Sequence, residues 1–202
     1  MCIRDRNQEQ LFGETEYLFD AKKLAIIGAG GIGKKLIEFT APFGVEITAV
    51  NRSGRDVSGA DRTVAMGDVE AMEVVWSESD CVVLLAPLTP ETRHLVDDTV
   101  LAKMRSNAVI VNVGRGALID TEALTTALQD GAIAGAGLDV TDPEPLPADH
   151  PLWEMDNVVI TPHTANIPRF MARRVGALAA RNWELFAAGE SMSTEVDVEA
   201  GY

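Results

Sequence analysis

Cysteine is nearly absent from this chain, with two among 202 residues. Two thiols cannot staple a small core, so a disulfide-framework protein is excluded. Cys2 lies in a patternless N-terminal stretch. Cys81 opens the apolar run Cys81-Val82-Val83-Leu84-Leu85, where a buried, reduced thiol suits a cytoplasmic setting. Basic residues are also scarce, 17 against 31 acidic, which leaves a net charge of −14. Nucleic acids and anionic membrane surfaces both require a basic face, so neither partner is expected. Long apolar runs are missing too: Cys81–Ala86 is about the longest, far short of the ~18 residues of a membrane span. Repeats and low-complexity tracts are absent, and no metal is expected.

The apolar content, 47%, is ordinary for a globular chain and excludes wholesale disorder. At ~150 residues per domain the length allows one domain to two. Lys23–Ile27 is a short apolar run that stops at glycine, a buried strand. Ile32, Leu36, Ile37 and Phe39 then recur at near-helical spacing up to Pro42, and Val45–Val50 forms the next strand. Further along, Met66–Glu78 and Asp98–Met104 read as helices, and Cys81–Leu85, Ala108–Asn112, Ala134–Val140 and Val158–Thr161 as strands. Asp120 caps a helix whose apolar face is Leu124, Ala127 and Leu128, with Gly131 as its stop. A long helix starts at Pro168, and Met171, Val175, Leu178 and Phe186 are expected to mark its buried face. Strands alternating with helices imply an α/β fold with a doubly wound parallel sheet.

Gly28-Ala29-Gly30-Gly31-Ile32-Gly33 joins the first strand to the first helix. In this pattern the first glycine makes the tight turn, the second lets a pyrophosphate approach the backbone, and the third lets helix pack close to strand. The helix N-terminus offers its N–H groups to the phosphates. Within a strand–turn–helix–strand unit, the pattern marks a Rossmann-like dinucleotide-binding domain. An NAD-preferring site puts a carboxylate at the end of the second strand, but this strand ends Val50-Asn51-Arg52-Ser53-Gly54-Arg55. Two guanidiniums and a hydroxyl suit a 2′-phosphate, so NADP(H) is favoured over NAD(H). A solvated polar turn is the plainer alternative.

Three polar residues follow three strand ends: Arg115 in Val113-Gly114-Arg115-Gly116, Glu144 in Thr141-Asp142-Pro143-Glu144-Pro145, and His163 in Pro162-His163-Thr164-Ala165. Ligands of open parallel sheets sit beyond the carboxyl ends of the strands, so these residues should meet in one crevice. Singly, each has a bland reading: a turn arginine, a surface acid, a capped core histidine. Jointly they are an anion binder, a proton donor and the carboxylate that tunes it.

These segments, with Leu85-Ala86-Pro87-Leu88-Thr89 and Asp139–Pro145, resemble the D-isomer-specific 2-hydroxyacid dehydrogenases over roughly residues 15 to 190. The Asn51-Arg52-Ser53 turn resembles the NADPH-using, glyoxylate/hydroxypyruvate reductase-like branch. The resemblance implies catalytic roles for Arg115, Glu144 and His163. It implies cofactor contacts from Gly28, Gly30, Gly31, Ile32, Gly33, Asn51, Arg52, Ser53, Arg55, Pro87, Thr89, Val113, Gly114, Asp139 (the nicotinamide amide), His163 and Ala165. It further implies a small 2-oxo or 2-hydroxy acid as substrate, a homodimer and a cytoplasmic location. In that scheme protonated His163 donates to the ketone oxygen, Glu144 stabilises the imidazolium, and Arg115 holds the substrate carboxylate.

Neither the stretch before Gly28 nor that after His163 reaches the ~50 residues of a small domain. The family carries its substrate domain mostly ahead of the dinucleotide domain, so that domain is expected to be largely absent and the chain an N-terminally truncated fragment. Read back into codons, Met1–Arg6 matches a transposon end used in sequencing libraries, an expected read-through artefact, with a disordered natural start as the alternative. The expected division is a non-native or disordered start over residues 1–14, a dinucleotide-binding domain over 15–168, and a C-terminal helix and tail over 169–202. Two functions stay open: a reductase, whose activity this fragment alone is expected to lack, and a nicotinamide-binding interaction module like the corepressors that resemble these enzymes.

Overall fold

The computed structural model describes residues 23–165, 168–192 and 194–195. Met1–Arg6 and the expected start of the dinucleotide-binding domain lie outside them. Among the described residues, seven strands form one sheet in the order β3-β2-β1-β4-β5-β6-β7. They are β1 Lys23–Ile27, β2 Glu46–Asn51, β3 Arg62–Ala65, β4 Cys81–Leu84, β5 Val109–Asn112, β6 Gly135–Leu138 and β7 Val158–Ile160. Every pairing is parallel. The helices are α1 Gly31–Thr40, α2 Val69–Glu78, α3 Asp98–Lys103, α4 Thr121–Gln129 and α5 Pro168–Ala188. The expected doubly wound sheet is therefore present, and strand order reverses between β1 and β4, beside the glycine turn.

The central strands are apolar at most positions, Lys23 of β1 and Asn112 of β5 being exceptions, because helices pack on both faces of the sheet. Ala25 and Ile27 of β1 join one buried cluster with Val75, Trp76, Leu101, Leu124 and Leu128 of α2, α3 and α4. Leu24 and Ile26 join the other with Ile37 of α1, Ile47 and Ala49. Asp68, Asp97 and Asp120 cap α2, α3 and α4 by accepting the N–H three residues on. Gly131, just past α4, takes the left-handed conformation of a helix stop, with φ of 68°.

Three sequence expectations are corrected. Arg62–Ala65 is a strand that periodicity missed: four residues with Arg62 exposed give no alternation to read, and pairing with β2 alone defines it. Helix α2 starts at Val69, not Met66, because Asp68 accepts from Ala71 N–H and fixes the first turn. The face of α5 marked by Met171, Val175, Leu178 and Phe186 is exposed among the described residues, not buried. Trp183 and Phe186 of that helix contact one another, with ring centroids 6.3 Å apart. Periodicity reports an apolar stripe, and whether anything covers it is a tertiary matter. Exposure also rises along one row of the sheet, where register aligns Val83, Val111, Gly137 and Val159: Val83 is buried and Val159 is 67% exposed among the described residues. Among the described residues, no helix is long and apolar enough to cross a membrane.

Candidate functional site

The glycine turn packs against β4. Gly28 has φ of 103°, and a β-carbon there would lie 2.4 Å from Ala86 N, so only glycine fits. A β-carbon at Gly33 would meet Gly28 O at 2.9 Å, the close helix–strand approach expected of the third glycine. Gly30 and Gly31 face open space. Helix α1 has no side-chain cap and no acid in its first turn, so its leading N–H groups remain available to an anion. Ile32 is exposed beside them. Open glycines over an uncapped helix start form a donor set that fits a dinucleotide pyrophosphate.

At the end of β2, Asn51 is spent on its own turn. Its Oδ1 accepts from Ser53 N–H at 3.0 Å and its Nδ2 donates to Arg55 O at 2.7 Å. Arg55 Nε donates to Ser53 Oγ at 3.1 Å, and Arg52, Ser53 and Arg55 are all exposed. A hydrogen bond from Thr89, and to a lesser degree the charge of Arg52, holds the Glu91 carboxyl below its ordinary range. In the loop after β4, buried Thr92 donates to Pro87 O and accepts from Thr89 N–H, both at 2.7 Å, and so shapes the Pro87–Thr89 turn.

Beyond β5, β6 and β7 lie the three expected catalytic side chains. His163 Nδ1 and Glu144 Oε1 are 2.6 Å apart, both side chains about half exposed. Arg115 is exposed on the neighbouring loop, and its Nη1 donates to Gly114 O at 2.8 Å. The loops of Arg115 and Glu144 touch: a β-carbon at Gly116 would fall 1.9 Å from Thr141 O. Thus the structure joins His163 to Glu144 directly and sets Arg115 on the adjoining loop.

Asp139 is 6% exposed and anchors the His163 loop. Its Oδ1 accepts from Thr161 Oγ1 at 2.5 Å and Thr164 N–H at 2.8 Å, and its Oδ2 accepts from Ala165 N–H at 2.9 Å. His163 N–H donates to Asp139 O at 2.9 Å. Burial pushes this carboxyl up, but the bonds from Thr161, Ala165 and Thr164, with the neighbouring imidazole, outweigh it and hold the group low. These bonds bracket His163, whose φ of 51° is left-handed and uncommon for a side chain of its size. Thr161, Thr164 and Thr92 were not among the expected site residues. Their signal was faint, threonines a few positions from strand ends. Among the described residues, no cluster of three metal-ligating side chains occurs.

Residues 4–165 match the family described as D-isomer specific 2-hydroxyacid dehydrogenase, NAD binding domain. The chain is 59% identical over 186 residues to an uncharacterised protein of Corynebacterium melassecola, covering 92% of this chain and 60% of that protein. It is 40% identical over 169 residues to a glyoxylate reductase of Aeropyrum pernix, covering 84% of this chain and 50% of the relative. It thus spans about half to six-tenths of the curated relatives' length. Among solved structures, a D-isomer specific 2-hydroxyacid dehydrogenase of Xanthobacter autotrophicus in complex with NADPH and MES superposes with a TM-score of 0.83 at 36% identity, covering 89% of this chain and 72% of that one. The chain belongs to the D-isomer specific 2-hydroxyacid dehydrogenase family and corresponds to its NAD binding domain.

Proposed function

We propose that this chain carries the dinucleotide site and the acid–base pair of an NAD(P)-dependent reductase. Its substrate would be a small 2-oxo acid of the glyoxylate or hydroxypyruvate type, interconverted with the D-2-hydroxy acid. The observation that carries this reading is the 2.6 Å contact between His163 Nδ1 and Glu144 Oε1, on the rim where the sheet's strands end. Glu144 occupies Nδ1 and stabilises a positive ring, which leaves Nε2 to give a proton to the ketone oxygen. Arg115, exposed on the adjoining loop, holds the substrate carboxylate by charge-assisted bonds and polarises the ketone.

Gly28, Gly30, Gly31, Ile32 and Gly33 would hold the pyrophosphate, Asn51, Arg52, Ser53 and Arg55 the adenosine end, and Pro87, Thr89, Val113, Gly114, Asp139, His163 and Ala165 the remainder of the dinucleotide. When bound, that cofactor supplies the reducing equivalent to carbon 2 of the acid. With no carboxylate at the end of β2 and two arginines in its turn, NADP(H) is the favoured form. A cytoplasmic homodimer is the setting this reading assigns.

The test, in a protein that joins this chain to the substrate domain of a relative, is reduction of glyoxylate and hydroxypyruvate followed by loss of NADPH absorbance. His163→Ala should slow the reaction by at least the ~10²-fold typical of a lost general acid. Cofactor binding without turnover in that two-domain protein would favour the interaction-module reading. Unchanged turnover in His163→Ala would refute the assigned proton donor.

A further inference from the structure

Among the described residues, the buried polar side chains are Ser79, Thr92, Asn112, Thr125 and Asp139. Burying such groups is costly unless every bond is made, so where they sit is informative. Thr92, Asn112 and Asp139 lie in or at the start of the loops beyond β4, β5 and β6, and each bonds main-chain atoms of the candidate rim. Asn112, 1% exposed, is the one whose partners lie in the turn that carries Arg115, the proposed binder of the substrate carboxylate.

Asn112 Oδ1 accepts from Gly114 N–H at 3.0 Å, and Nδ2 donates to Arg115 O at 2.9 Å. One donor and one acceptor partner fix which end of the amide is oxygen, so neither a carboxylate nor an alkyl group can replace it without loss. Arg115 O accepts a second bond from Leu118 N–H at 3.1 Å, which ties the turn to the segment leading into α4. On its far side the turn is closed by Gly116, which abuts Thr141 O, while Thr121 Oγ1 donates to Asp142 O at 2.6 Å. The Arg115 backbone is therefore held by an amide beneath it and braced against the loop that bears Glu144.

We propose that Asn112 is a positioning residue that sets the main chain of Gly114–Gly116 so that Arg115 presents its guanidinium to the carboxylate of the substrate. This rests on the anion-binding role given to Arg115 above. Asn112→Asp puts an acceptor against Arg115 O, and Asn112→Ser offers a hydroxyl too short to span Gly114 N–H and Arg115 O together.

The experiment measures two things in the full chain. Amide exchange and 15N relaxation at Gly114, Arg115 and Gly116 report the turn itself. Affinity for oxalate, with NADPH present, reports anion binding. Ser79→Ala, a buried hydroxyl bonded to Val75 O, serves as a control for general loss of stability. Both Asn112 variants should loosen the turn and weaken oxalate roughly tenfold or more, as for a lost charge-assisted contact. Ser79→Ala should do neither. If Asn112→Asp fails to fold, Asn112→Ser decides.

A turn that stays as protected as in the parent overturns the proposal. So does oxalate affinity that falls equally in Ser79→Ala, or that survives in the Asn112 variants while Arg115→Ala abolishes it. If Arg115→Ala leaves oxalate binding intact, the anion-binding role of Arg115 fails instead, and exchange at Gly114–Gly116 still shows whether Asn112 holds the turn.

Discussion

Gly28 and Gly30 stand two residues apart in one turn, and the structure assigns them opposite consequences on substitution. Alanine at Gly28 places a β-carbon 2.4 Å from Ala86 N, 2.6 Å from Leu85 C and 2.7 Å from Ala86 Cα, all backbone atoms of the chain leaving β4. Those atoms cannot rotate away as a side chain would. The left-handed φ of 103° adds its own penalty for any residue with a β-carbon. Strain of about 1–2 kcal/mol for the backbone and about 1–3 kcal/mol for overpacking sum to roughly 2–5 kcal/mol. For a chain of this size that is a fall in melting temperature of roughly 5–15 °C.

Alanine at Gly30 meets nothing within 4 Å, and the residue is an N-cap with φ of −79°, so stability should fall by about 1 kcal/mol at most. Its methyl would instead occupy the space through which a pyrophosphate reaches the backbone. NADPH affinity should therefore drop at least ~10-fold while the melt stays close to the parent's. Thermal melts and NADPH titrations of the two variants form the assay. A Gly30→Ala protein that binds NADPH like the parent would refute the assignment of this turn to the pyrophosphate. A Gly28→Ala protein that melts like the parent would refute the steric argument.

Three further outcomes are expected. Arg52→Ala should weaken NADPH by ~1.5–3 kcal/mol and NADH far less, as for a charge-assisted phosphate contact, and equal losses would remove the 2′-phosphate assignment. The carboxyl of Asp139 is held below its unfolded value, so its contribution to stability is complete above the ordinary carboxyl range near pH ~4 and is lost as pH falls through the folded value; Asp139→Asn should flatten that part of the acid unfolding curve, and an unchanged curve would refute the link. Burial, and then the neighbouring Asp80 charge, push the Cys81 thiol up to about 11, so iodoacetamide at neutral pH should label it far more slowly in the folded protein than after denaturation.

Local chemistry made much of this protein legible in its sequence. Buried parallel strands are largely apolar runs, Asp120 and Gly131 bracket a helix by capping rules, and the approach of Gly33 to Gly28 O acts within six residues, whereas the contact that excludes a side chain at Gly28 comes from Ala86, far along the chain. The loop-end positions of Arg115, Glu144 and His163 followed from strand alternation alone. Tertiary structure decided everything that depends on residues far apart in the chain. Arg62–Ala65 is a strand only because β2 pairs with it. Asp139 also binds the loop of Thr161, Thr164 and Ala165, which parallel pairing of β6 with β7 brings alongside and no local pattern announces. The stripe of Met171, Val175, Leu178 and Phe186 is helical in period yet exposed, since amphipathicity fixes which side of a helix is apolar and only a packed neighbour makes that side a core.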